Sequence, residues 1–166
     1  NKKRIIHADT IPGPNVHIKH NIKVKGQCPR TQDMAHAIAI QRQTQPNRRI
    51  GMAKIDAKMA HKRIKVLRKD WKHTCARFRR RPNGPYKFVV NQCGTYGISS
   101  AQFWWGRTAG LVNRICLHAD LAEWLLVYVD DYLAIFALTG DPTDIWEQAA
   151  ALVMFLENHG VPNELE

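Results

Sequence analysis

Two adjacent carboxylates, Asp130 and Asp131, stand between two apolar runs, Leu125–Val129 and Tyr132–Phe136. Each run is short and rich in Val, Ile, Leu and aromatic residues, the composition of a buried strand, so the pair is expected at the tip of a β-hairpin. Two anions held about 4 Å apart at an effective dielectric near 20 repel by about 4 kcal/mol. A cation removes that penalty, and oxygen-only ligands favour Mg²⁺ or Mn²⁺. An ordinary polar turn is the alternative, because Asp is common in turns. A third carboxylate, Asp56, follows another strand-like segment, Arg48–Ile55. If the two strands are neighbours, Asp56, Asp130 and Asp131 meet at one sheet edge. Two divalent ions held there, roughly 3.5–4 Å apart, are suited to in-line phosphoryl transfer.

The elements that must position these groups can be read from periodicity and punctuation. Lys3–His7 has the pattern of a short strand, and the rest of residues 1–32 reads as an irregular basic arm. Asp33 is placed to cap a helix running to about Gln43, which Pro46 and Asn47 break. Ala57–Ile64 has helical composition but is short and basic, and Asp70–Thr74 reads as a turn or short helix. Cys75–Arg81 and Tyr86–Asn91 are strand-like around the Pro82-Asn83-Gly84-Pro85 turn. Ala101, Trp104, Trp105, Thr108, Leu111, Val112 and Ile115 fall at helical spacing, which predicts a helix from about Ser99 to His118, capped by Ser99 or Ser100. Trp104 and Trp105 are read as core anchors. Gly140-Asp141-Pro142 predicts a stop, a cap and a first helical residue, and the following helix runs to about Asn158, before Gly160. The resulting order is an α+β plan, an antiparallel sheet with helices on one face.

Charge is distributed unevenly over the 166 residues. Residues 1–90 hold 23 Lys/Arg against 4 Asp/Glu, whereas residues 91–166 hold 2 against 10. A basic half suited to a polyanion joined to an acidic half suited to cations points to nucleic acid as partner. The competing reading is a solvated basic surface. With 45% hydrophobic residues the chain can bury a core, and no apolar run is long enough to span a bilayer, so no membrane partner is expected. No signal peptide is visible, and the start at Asn1 rather than Met reads as a fragment or processed piece. Cys28, Cys75, Cys93 and Cys116 contain no CxxC pair, which argues against zinc and for free thiols in a reducing, intracellular compartment. His17 and His20 lie in a stretch of loop composition and read as surface residues.

Three segments resemble the motifs of reverse transcriptases. Tyr128-Val129-Asp130-Asp131 is similar to their Tyr-x-Asp-Asp motif, Lys54–His61 to their first catalytic motif, and Tyr96–Phe103 to the segment that opens their template- and nucleotide-facing helix. Asp56 and Gly97 are 41 residues apart, and Gly97 and Asp130 are 33 apart. Arg4-Ile5-Ile6-His7, with Thr10 and Asn15, resembles the triphosphate-holding fingers motif, and Gly160–Asn163 the start of the last palm motif. The resemblance implies a palm with a partial, basic fingers subdomain, arranged as fingers 1–32, palm 33–63, fingers 64–96 and palm 97–166, with the thumb and any ribonuclease H domain absent.

It further implies an RNA-directed DNA polymerase using two Mg²⁺ (or Mn²⁺) ions to join dNTPs to a primer on an RNA or DNA template. Asp56 and Asp130 would be the main metal ligands, with the Ala57 carbonyl assisting and Asp131 supporting. Lys2, Lys3, Arg4, His61, Tyr96 and Gly97 would contact the nucleotide, His61 as the steric gate beneath the sugar. Tyr128, Ser99, Ser100, Arg79 and Arg80 would contact nucleic acid. The pattern departs from the family at several positions. His61 replaces the usual Tyr or Phe, Gln102 replaces Pro, Ala8 stands where Asp is expected, and His17 stands where Asn is common. A nucleic-acid-binding module without catalysis, or an RNA-copying RNA polymerase, are the alternatives. The oligomeric state is open.

Overall fold

The structure is a computed structural model that describes residues 15–24, 26–95, 97–141 and 143–165. It is a mixed α+β chain that divides into two compact units, one within residues 1–25 and 61–105 and the other within 26–60 and 106–166. Among the described residues no helix is long and apolar enough to cross a membrane.

The second unit is built on a four-stranded sheet of order β4-β5-β1-β6, antiparallel at every pairing, from β1 (Arg49–Ala57), β4 (Trp124–Tyr128), β5 (Asp131–Leu138) and β6 (Asn163–Leu165). In β1, Gly51, Ala53, Ile55 and Ala57 are buried, while Met52 and Lys54 are exposed and Asp56 is half-buried. This is the period-2 alternation of a strand with one face in the core. Tyr132, Ala134 and Phe136 of β5 share the core face of β1. Helix α4 (Asp144–Asn158) covers it with Ala149, Leu152 and Leu156, one stripe at helical spacing. Small residues on β1 let α4 come close: a Cβ on Gly51 would lie 2.9 Å from Ile145 Cδ1 and 3.0 Å from Leu138 Cδ1. Ile55, Tyr132, Ile135, Phe136, Leu152 and Leu156 are fully buried, each contributing about 1.5–3 kcal/mol of apolar burial.

The first unit contains α1 (Asn15–Asn21), a 3₁₀ turn at Arg68–His73, and the ribbon β2 (Cys75–Arg79) and β3 (Tyr86–Val90). Thr74 closes the ribbon's base: its hydroxyl donates to the Asn91 carbonyl at 2.7 Å, and the Asn91 amide donates to the Thr74 carbonyl at 3.1 Å. Helix α3 (Ser99–His118) has the expected bounds.

Several local expectations are corrected. Helix α2 spans Thr31–Thr44, and Asp33 is its third residue rather than its cap; the carboxylate accepts the Arg30 amide at 2.6 Å, one half of a capping box. β1 extends through Asp56 to Ala57, because Ala57 still pairs with Asn163 of β6. Trp105 is buried but Trp104 is half exposed, since adjacent helical residues point about 100° apart. His17 and His20 are exposed as expected, though on α1 rather than in a loop. α4 begins at Asp144 after Thr143; Asp141 instead accepts the Thr143 amide at 2.8 Å and its hydroxyl at 2.7 Å, which lowers the Asp141 pKa. Pro142 and the predicted strand Lys3–His7 lie outside the described residues. The four cysteines are free thiols.

Tyr132 is fully buried, and its hydroxyl has no hydrogen-bond partner among the described residues. Burial, with a smaller contribution from Cys116, raises the tyrosine's pKa well above 10, and burial pushes the Cys116 thiol from 9.0 to about 11. A buried hydroxyl without a partner costs about 1–3 kcal/mol, so Tyr132→Phe is expected to leave stability unchanged or raise it in urea unfolding. The raised thiol also sets a pH window. Above pH 9.0 the unfolded chain loses a proton that folded Cys116 keeps until about 11. Stability is therefore full below that window and falls through it by up to about 1.4 kcal/mol per pH unit, and Cys116→Ala is expected to flatten the slope.

Candidate functional site

The acidic residues belong to the second unit and are placed by strand register. Tyr128 pairs with Asp131, Asp131 with Asp56, and Asp56 with Glu164. Directly paired residues of antiparallel strands share a face, so these four form one row across the sheet, on the face opposite Ile55 and Phe136. Adjacent strands lie about 4.8 Å apart, which brings three carboxylates into one row. Two cations lie beside that row, one from β1 and one from the residue just after it. Lys54 Nζ lies 3.4 Å from Asp131 Oδ1, and Lys58 Nζ lies 2.7 Å from Glu164 Oε1. Like charges directly opposite are destabilising, and the two lysines offset this.

The Asp pair does not sit together at the hairpin tip. Asp131 is the first residue of β5, and the two-residue loop is Val129-Asp130. Val129 has φ 57°. A positive φ at the first loop position alone is the pattern of a II′ turn, where Gly is usual, and a β-branched residue there is strained by about 1–3 kcal/mol. The Ala57 amide donates to the Asp130 carbonyl at 2.8 Å, so the turn is tied to the end of β1, and Ala57 itself is buried. Tyr128 is 56% exposed. The oxygen-only donor set suits a hard divalent cation. Among the described residues, however, no three His, Cys, Asp or Glu side chains converge closely enough to hold a metal ion.

In the first unit, His61, Gly97 and Ser99 line one cleft of 320 Å³ together with Thr95, Ile98 and Gln102. Gly97 has φ 100°, a conformation that favours glycine. Asn15, almost wholly buried, clamps this turn. Its Nδ2 donates to the Gly97 carbonyl at 2.5 Å, and its Oδ1 accepts the Ser99 amide at 2.8 Å. The first amide of α3 is thus capped by Asn15 rather than by Ser99 or Ser100, both of which are half-buried. Gly94 fixes the other wall: a Cβ there would lie 2.5 Å from the His61 carbonyl oxygen. Arg79 ends β2 and donates to the Pro82 carbonyl at 2.8 Å; Arg80 is exposed in the turn that follows. Lys2, Lys3, Arg4 and Tyr96 lie outside the described residues.

Glu164, Lys54 and Lys58 escaped sequence reasoning. The two lysines flank Asp56 at i−2 and i+2, a signal that becomes readable once the strand is extended past Asp56. Glu164 carries no such signal, because its place in the row depends on a three-residue strand distant in sequence. No protein-family model matches the chain, and no curated protein matches it.

The row predicts a charge-specific effect. Lys54→Met keeps much of the stem but removes the ammonium beside Asp131, and is expected to lower stability by up to about 1 kcal/mol at low ionic strength. The loss is expected to shrink strongly in about 1 M salt and in an Asp131→Asn background, both read by urea unfolding.

Proposed function

We propose that the chain is the catalytic core of an RNA-directed DNA polymerase that joins dNTPs to a primer end on an RNA or DNA template. The observation that carries this reading is the register that sets Asp131 opposite Asp56, with Asp130 in the adjoining strained turn. It is supported by the resemblance of Tyr128–Asp131, Lys54–His61 and Tyr96–Phe103 to reverse transcriptase motifs. On this reading the acidic sheet belongs to a palm and the basic ribbon to its fingers.

Asp56 and Asp130, with the Ala57 carbonyl and with Asp131 in support, would hold two Mg²⁺ or Mn²⁺ ions. Those ions, when bound, supply activation of the primer oxygen and neutralisation of the leaving pyrophosphate. By the same resemblance, Gly97 would allow close backbone approach to the nucleotide, and His61 would be a smaller gate beneath its sugar than Tyr or Phe. A second reading, nucleic-acid binding without catalysis, is favoured by the Lys54–Asp131 ion pair, which places an ammonium where a metal would compete for the carboxylate.

Primer extension separates the two. Wild-type protein, alone and within a longer polypeptide continuing past Glu166, is expected to extend a primer with dNTPs and Mg²⁺ or Mn²⁺. Asp130→Asn and Asp56→Asn are each expected to reduce extension by at least about a hundredfold. Extension that survives Asp130→Asn overturns the metal assignment. Salt-sensitive primer–template binding without extension by wild type establishes the second reading.

A further inference from the structure

The β2–β3 ribbon leaves most of its surface in water. All of β3 and four of the five residues of β2 are exposed. An isolated two-stranded ribbon is marginal in water, and exposed apolar residues on it mark an interaction surface. Phe88 is 68% exposed, and Phe78, Tyr86, Val89 and Val90 are each more than two-fifths exposed. The ribbon and its turn also carry Arg77, Arg79, Arg80, Arg81 and Lys87, and the sequence holds no carboxylate between Asp70 and Asp120.

Register arranges these groups. Arg77 pairs with Phe88 and Arg79 with Tyr86, so on one face two guanidinium side chains of β2 stand opposite two aromatic rings of β3. The guanidinium carbons of Arg77 and Arg79 lie 4.2 and 3.8 Å from the Tyr86 ring centroid. Arg79 also donates to the Tyr86 hydroxyl, as well as to the Pro82 carbonyl. Tyr86 is thereby held in place by cations, while the neighbouring Phe88 ring on the same face remains open.

We propose that this face of the ribbon is a single-strand nucleic-acid platform on which an unpaired base stacks against Phe88 and its phosphates meet Arg77, Arg80 and Arg81. Stacking needs a base with a free face, which a single strand offers and an intact duplex withholds. A duplex would use the cations alone and leave the ring in water. A second copy of the ribbon is disfavoured by five like charges, and an acidic peptide would satisfy the arginines without covering Phe88. The platform uses none of the carboxylates of the sheet, so it stands whether or not the chain is a polymerase.

Fluorescence anisotropy in EDTA tests it, with a labelled oligothymidylate of about 16 nucleotides and a blunt duplex of equal length as probes. The oligothymidylate is expected to bind at least about tenfold more tightly than the duplex at 0.15 M salt, a condition that must be fixed because the cationic part is salt-dependent. Phe88→Ala is expected to weaken oligothymidylate binding about 5- to 100-fold and to leave duplex binding within about twofold, and Phe88→Trp to restore it. Equal affinity for the two probes, or a Phe88→Ala effect that is absent or equal on both, overturns the proposal. Photocrosslinking of wild-type protein to 4-thiothymidine in the oligonucleotide gives a test free of any folding effect: crosslinks at Phe88 or Tyr86 support the platform, and crosslinks confined elsewhere overturn it. Asp130→Asn is expected to leave this binding within about twofold. Phe88-dependent binding without primer extension therefore overturns the polymerase reading alone.

Discussion

The acidic end of the sheet depends on one constraint: β1 lies between β5 and β6, antiparallel to both. That position puts Asp56 between Asp131 and Glu164 and Lys54 on the same face, while Lys58, just past the strand, pairs with Glu164. The arrangement is sensitive to register, because a slip of one residue would send every side chain of β1 to the other face. The core side enforces the register. Gly51 is packed against Ile145 and Leu138, and buried Ala53 and Ile55 lie with Tyr132 and Phe136 under α4. Packing that contains no chemistry thus fixes the charges that could perform it.

Much of this was legible in the residues, for physical reasons. The runs flanking Asp130 and Asp131 are β-branched and aromatic, and they form a hairpin. The helix Ser99–His118 was readable because its apolar residues keep a 3.6-residue period over five turns. Errors fell where a neighbour distant in sequence overrides local pattern. Asp56 looked like a strand end because carboxylates are poor strand formers, yet pairing with Glu164 keeps it in the ladder. The Asp pair looked like a shared tip because Asp suits turns. The loop instead takes Val129 into positive φ and leaves Asp131 in the strand. The candidate site was legible in its acidic residues and not in its lysines or Glu164, whose role arises only from cross-strand geometry.

The first unit carries the same lesson on a smaller scale. Asn15 sits in a basic stretch that reads as irregular, but it is one of the few buried polar residues and satisfies both a carbonyl and an amide at the Gly97 turn. A buried amide side chain with both ends paired specifies one geometry, and neither composition nor periodicity announces it. Gly94 is similar: its lack of a side chain matters only because the His61 carbonyl passes so close.

Lys54 and Lys58 also settle how the acidic row is compensated. With ammonium groups beside Asp131 and Glu164, the row carries its own counter-charges, one tethered within β1 and one just past its end. The sheet therefore closes with its carboxylates side by side on charge that the chain itself supplies.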